Sequence, residues 1–181
     1  MIIRRILEPE EDIKGVMEVE RRCFPEHIIE SQEIYEHRIK HFPNGIRVLE
    51  DNNKILGVIS SEIWNYQDNV NIDKFAINHF ILERHDPCGS ELYISSLAIV
   101  PEYRKLGLSK QLLDGLIHDV KKEHPIITTG ILMVSEVCEY AIKLYKKFNF
   151  KFIYTFSSRY FFPNLPHNNY HIMRCYELNT K

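Results

Sequence analysis

At 181 residues and 44% hydrophobic, the chain can bury one substantial core and is short for two average domains, so a single domain over residues 1–181 is expected. A net charge of -2, with acidic and basic residues interspersed, gives no general attraction to nucleic acid or an anionic membrane, so any phosphate binding has to be local. Cys23, Cys88, Cys138 and Cys175 lie far apart without a C-x-x-C pair, and "MIIRRILEPEED" turns acidic where a secretory leader carries its apolar run. These features suit a reducing cytoplasm, and no apolar run approaches the roughly 20 residues that span a bilayer. The nine histidines are scattered without ligand spacing, so surface histidines and no metal are expected. His79 and His85 are kept in view because they precede the most informative stretch of the chain.

In chain order, residues 2–7 read as a short strand, and the acidic, proline-bearing run Glu8 to Asp12 suits a helix start. Apolar residues then recur at Ile13, Val16, Met17, Val19, Cys23 and Phe24, an amphipathic helix that "FPE" stops. A second helix is expected over residues 31–41, before Pro43. "GIRVLED" and "KILGVISSEIW", separated by Asn52 and Asn53, read as a hairpin. Residues 65–90 are polar and less periodic and read as an excursion loop. Residues 91–100 read as a strand, with Tyr93, Ser95 and Leu97 on one face and Ile94, Ser96 and Ala98 on the other. A helix over 109–123, a strand at "ITTGILMVS" and a helix over 137–148 follow. Two strands, "FKFIYTF" and "NYHIMRCYEL", joined by the Pro163/Pro166 loop, complete an α/β chain with a mixed sheet.

The most informative stretch is "YISSLAIVPEYRKLGLSKQLLDGL", where strand periodicity gives way to helix periodicity beside Arg104, Lys105 and Gly107. A helix N-terminus offers unpaired N–H groups and partial positive charge, and a glycine lets backbone approach a ligand closely. Two cations added there make a phosphate cradle, and this one is neither a P-loop nor a dinucleotide fingerprint. The run Arg104, Lys105, Leu106, Gly107, Leu108, Ser109 resembles the R/Q-x-x-G-x-G/A pyrophosphate motif of the GNAT superfamily of acyl-CoA-dependent N-acyltransferases, with Ser109 at the small last position. "CEYAIKLYKKFNF" is similar to a second motif of that family through Ala141, Tyr145, Lys147 and Phe150, with Cys138 at an asparagine position and Asn149 at a glycine position.

The resemblance implies a mostly antiparallel mixed sheet with helices on both faces, splayed central strands, and acetyl-CoA as co-substrate. It implies Arg104, Lys105 and the backbone of Leu106 to Ser109 at the pyrophosphate, Leu97, Ala98 and Ile99 along the thioester, and Cys138 and Tyr145 near the cofactor. Only about one alkylamine in 2,500 is neutral at pH 7 for an ammonium pKa of about 10.4, so the transfer needs a base, an oxyanion donor and an acid for the sulfur. The resemblance implies Tyr145 as the acid and Leu97 to Ile99 as the oxyanion donors. Tyr93, Glu62 and Glu91 are the candidates for handling the amine proton, and a histidine that some relatives use on the following strand would fall at Met133. No cysteine is placed for a covalent acetyl intermediate, so direct attack in a ternary complex is expected.

Two acceptors stay open. The segment before the junction, with Trp64, Tyr66, Phe75 and Phe80, resembles the arylalkylamine acetyltransferases and suits a small, aromatic amine. "FPE" and "SRYFFPN" resemble the segments with which peptide N-terminal acetyltransferases grip a backbone. No charge concentration in the sequence points to a polyamine. A sensor that binds acyl-CoA without turnover is the alternative outside the enzymes, and a homodimer is left open.

Overall fold

The computed structural model describes residues 1–164 and 167–179. Its strands are β1 (Ile2–Arg4), β2 (Ile46–Asp51), β3 (Lys54–Trp64), β4 (Glu91–Ile99), β5 (Thr129–Ser135), β6 (Lys151–Ser157) and β7 (Asn169–Cys175). Its helices are α1 (Pro9–Cys23), α2 (Gln32–His41), α3 (Leu108–Glu123) and α4 (Glu139–Lys147). The strands form one sheet in the order β1-β2-β3-β4-β5-β7-β6, antiparallel except where β4 and β5 run parallel. That parallel pair needs a crossover, which α3 supplies.

Local chemistry accounts for the boundaries. Asn52 and Asn53 both take left-handed φ, 50° and 60°, as a two-residue hairpin turn requires. Pro9 opens α1 with Glu10, Glu11 and Asp12 in its first turn, and the Ser31 hydroxyl accepts from Ile34 N–H to cap α2. The first strand stops at Arg4, short of residue 7, because Arg4 turns to Asp12 and Glu50. α4 begins at Glu139 with Cys138 as its N-cap, and Val137, expected on its apolar face, is exposed. The last loop is described only in part, since Pro166 lies outside the described residues.

The two faces of the sheet are covered differently. Leu112 of α3 lies where a Cβ on Gly57 of β3 would reach, and α3 seals this face with Leu112, Leu113, Leu116, Ile117 and Val120, all fully buried. On the opposite face α2 sends Arg38 to Glu62 of β3, and α1 sends Glu20 to Ser96 of β4.

Residues 65–90 form the expected excursion loop, which folds into short turns at Ile72–Phe75 and Ile81–Glu83 and buries Phe75, His79 and Ile81. One expectation is corrected: strict alternation along β4 fails. Ser60 pairs with Ser96 and Ser61 with Ile94, so Ser95 is the extra residue of a β-bulge. Ser96 therefore joins Tyr93 on the α1/α2 face instead of opposing it.

Candidate active site

The bulge coincides with an opening in the sheet. The β4–β5 ladder runs only from Glu91–Thr129 to Ile94–Leu132, while β4 continues along β3 to Ile99. Val100 N–H donates to Leu56 O at 2.9 Å, so in an extended chain Ser96 and Ala98 also face β3, and Leu97 and Ile99 face the opening. The Ile99 carbonyl accepts from Arg104 Nε at 2.9 Å, which leaves the Leu97 peptide and the Ile99 N–H as the polar groups along the split.

Beyond β4 the chain makes a turn at Pro101–Tyr103 and enters α3 through Lys105 (φ 65°) and Gly107 (φ 77°). A Cβ on Gly107 would meet nothing within 4 Å, so the dihedral demands glycine and the space beside it stays open. Lys110 and Gln111 N–H both turn back to Gly107 O, and the amides of Leu108 and Ser109 precede any intrahelical acceptor. Leu108 is buried and anchors the helix, Ser109 is half-buried, and Arg104, Lys105 and Leu106 are exposed around the same end. A helix terminus with two cations beside it could hold an anion.

α4 brings its candidates to the same place. The Lys105 ammonium lies 5.5 Å from the Tyr140 ring centre, and Arg104 is near enough to Cys138 to act on its thiol. Tyr145 is buried beside Phe150, with ring centres 5.9 Å apart, and burial pushes its phenol well above the ordinary range.

The expected proton-handling residues lie in a buried polar layer. Burial alone would raise the Glu62 carboxyl, but donors outweigh it and hold it below its ordinary value. They are His79 Nε2 at 2.7 Å, Trp64 Nε1 at 3.0 Å and Arg38 Nη2 at 3.4 Å. Glu91 is paired with Arg174, Nε to Oε1 at 2.7 Å. Tyr93 stacks on Trp64 at 3.9 Å with Phe75 edge-on at 5.4 Å, and burial drives its phenol far up. Trp64 and Phe75 are therefore core, while Tyr66 bonds Asp68 and Phe80 packs against His37. His85 takes the Ile63 N–H on Nδ1, and Met133 packs on the Trp64 cluster.

Sequence reasoning passed over three groups. Glu20 is 2% exposed, and its Oε1 accepts from Tyr35 OH at 2.8 Å and Ser96 Oγ at 3.1 Å. Burial pushes its carboxyl up to about 7, with Glu30 adding to the rise against the two hydroxyls and Arg38. Arg38 is fully buried and held by both oxygens of Glu30. A cleft of about 500 Å³ between α1, α2 and residues 78–80 gathers Glu26, Glu30 and Glu33 with Arg21 on its walls. The sequence did carry a signal, since Glu20 follows Met17 by three positions and so falls on the apolar face of α1.

His27, the residue after "FPE", lies against "SRYFFPN", its ring 5.0 Å from that of Phe162. Tyr160 OH also bonds Asp73 of the excursion at 2.8 Å, closing a rim of three segments.

The family model described as "Acetyltransferase (GNAT) family" matches residues 13–150, which contain the split, the junction and α4. The chain belongs to the GNAT acetyltransferase family. This GNAT chain is 27% identical over 111 residues to the uncharacterized N-acetyltransferase YkwB of Bacillus subtilis (strain 168), covering 58% of this chain and 49% of that relative. The match thus spans about half the length of that curated relative. Among solved structures, the loading GNATL domain of CurA from Lyngbya majuscula superposes with a TM-score of 0.74 at 16% identity, covering 94% of this chain and 96% of that one. The ribosomal-protein-S18-alanine N-acetyltransferase from Escherichia coli gives a TM-score of 0.64 at 17% identity, covering 99% and 95%. At these identities the two structures bear on the GNAT fold alone. No helix among the described residues is long and apolar enough to cross a membrane.

Proposed function

We propose that this GNAT chain is a cytoplasmic N-acetyltransferase that moves an acetyl group from acetyl-CoA to a primary amine by direct attack. The observation that carries the reading is the split of β4 from β5 after Ile94, opening beside a cationic helix N-terminus at Gly107. Arg104, Lys105 and the amides of Leu106 to Ser109 hold the pyrophosphate, and the Leu97 peptide receives the thioester carbonyl. Tyr145 returns a proton to the departing sulfur, with Cys138 at the edge of the cofactor. The carboxylates around the α1/α2 cleft favour an acceptor that arrives as an ammonium ion.

An amine at a peptide N-terminus is the second reading of the acceptor. It is favoured by the contact of His27 with Phe162, which joins the two segments that would flank an extended backbone. The burial of Trp64 and Phe75 removes the ground for an aromatic pocket built from them.

The test is calorimetric titration with acetyl-CoA of the wild type and of Gly107→Val, followed by thiol-release assays with amines and short peptides. Gly107→Val puts a β-branched side chain at φ 77° and into the open space beside the helix terminus, so it should abolish cofactor binding, with circular dichroism checking that the fold is kept. Wild type that binds no acetyl-CoA would refute the reading, and binding without transfer to any amine would favour the sensor.

A further inference from the structure

The α1/α2 face holds three buried carboxylates close to β4, and they differ in what they touch. Glu62 and Glu91 each face an arginine, Arg38 and Arg174. Glu20 instead accepts two neutral hydroxyls, from Tyr35 and from Ser96. A carboxylate fixed by cations is a poor proton acceptor, whereas one held by hydroxyls in a dry site is a competent one.

Position separates them further. The bulge at Ser95 is what turns Ser96 onto this face, and Ser96 immediately precedes Leu97, whose peptide faces the split. Ser96 is half-buried, whereas the Glu20 carboxylate to which its hydroxyl donates at 3.1 Å is covered. Ser60, directly opposite Ser96 on β3, is fully buried with no hydrogen-bond partner for its hydroxyl among the described residues. It adds a second uncommitted polar group beside the path. Glu20 also lies one turn along α1 from Met17, which lines the cleft.

We infer that Glu20, acting through the Ser96 hydroxyl, receives the proton that the acceptor nitrogen gives up as it attacks the thioester, an inference that rests on the acetyltransferase reading. An acceptor that arrives as an ammonium first loses one proton to solvent; the lone pair of the neutral amine then forms the bond to the acyl carbon, and the carbon–sulfur bond breaks with its electron pair on sulfur. The nitrogen's proton passes to Ser96 Oγ as Ser96 passes its own to Glu20 Oε1, and the thiolate takes a proton from Tyr145 or water. Glu20 then returns its proton to solvent. The charged and titratable groups around it are Tyr35 and Arg38 from α2, Glu30 from the α1–α2 connection, and Cys23 one turn on along α1, itself bonded to Arg104. Burial together with Glu30 places Glu20 near neutrality, where it is ionised in time to accept.

Glu20→Gln keeps an acceptor oxygen for both hydroxyls and cannot take a proton. The experiment measures acetyl-CoA affinity by calorimetry and kcat/KM from pH 5.5 to 9 for wild type, Glu20→Gln and Ser96→Ala. The acceptors are phenethylamine, spermidine and short peptides with free N-termini. Wild-type kcat/KM should rise through an apparent pKa near 7, and Glu20→Gln should lose that limb and about 10²–10⁴-fold in rate with cofactor affinity unchanged. Ser96→Ala should lose rate in the same direction, and it carries the test if Glu20→Gln folds poorly. Retention of both rate and limb in these variants would overturn the inference, as would a wild type that binds acetyl-CoA and acetylates none of the amines. A wild type that does not bind acetyl-CoA would overturn the acetyltransferase reading and this inference with it.

Discussion

Replacing Glu20 by glutamine should change how stability depends on pH, independently of any catalysis. In the unfolded chain Glu20 ionises near its ordinary 4.5, whereas in the fold it keeps its proton to about 7. Below the lower value both states are protonated and burial carries no ionic penalty. Between the two the folded state binds more protons, so stability falls as pH rises, and above about 7 the penalty is complete. The interval is roughly 2.5 pH units, and at about 1.4 kcal/mol each the folded state is destabilised by about 3 kcal/mol at pH 8. With the side chain only 2% exposed, solvent does little to screen this. The glutamine side chain does not ionise, so the variant should gain about 3 kcal/mol on wild type between pH 4.5 and 8, or roughly 6–12 °C in Tm. Any fixed cost of the amide nitrogen appears at every pH and cancels from the difference. Urea titrations followed by circular dichroism at several pH values measure it. A difference between the two proteins that does not change with pH would refute the assignment of a near-neutral Glu20.

Tyr145→Phe should leave acetyl-CoA affinity within a factor of about three and lower transfer by about 10²-fold, checked by calorimetry beside single-turnover thiol release. Arg38→Met should cost about 3–5 kcal/mol, because Glu30 and Glu62 then lose their shared buried cation, and chemical denaturation at pH 7 reads it. Loss of less than about 1 kcal/mol would mean that His79 and Trp64 alone satisfy Glu62.

What the sequence discloses here is what depends on neighbours along the chain. The Asn52–Asn53 hairpin, the strand-to-helix junction at Gly107 and the apolar stripe of α3 all follow from local conformational preference and periodicity. The bulge at Ser95 does not, because "SS" carries no signal for an extra residue; it exists only as a mismatch between two strands. Arg38, Glu20 and Glu30 read as ordinary charges on amphipathic helices, and their burial emerges only once α2 lies over β3. Within the excursion the apolar patch from Phe75 to Leu82 is visible in the sequence, but the partners of Phe75, Trp64 and Tyr93, belong to other elements.

The contrast between the two faces of the sheet bears on where the chemistry sits. Under α3 the core is mainly aliphatic, and the charge it buries, Arg47 of β2, is paired with Asp119 of α3 at 2.8 Å. Under α1, α2 and the excursion the same sheet buries Glu20, Glu30, Arg38, Glu62, His79, Glu91 and Arg174. Charges taken out of water cost more than apolar packing of equal volume would, so such a layer is a poor way to stabilise a fold. Stability alone does not account for charges gathered on one face around the bulge that turns Ser96 inward. A site that must receive a cation, discharge it and keep water from the thioester requires fixed polar groups on the face from which the amine arrives. Within that layer His79, with Arg38 and Trp64, holds the Glu62 carboxyl below its ordinary value and Arg174 is salt-bridged to Glu91, whereas the direct partners of Glu20 are two hydroxyls, which leave it able to change its protonation state.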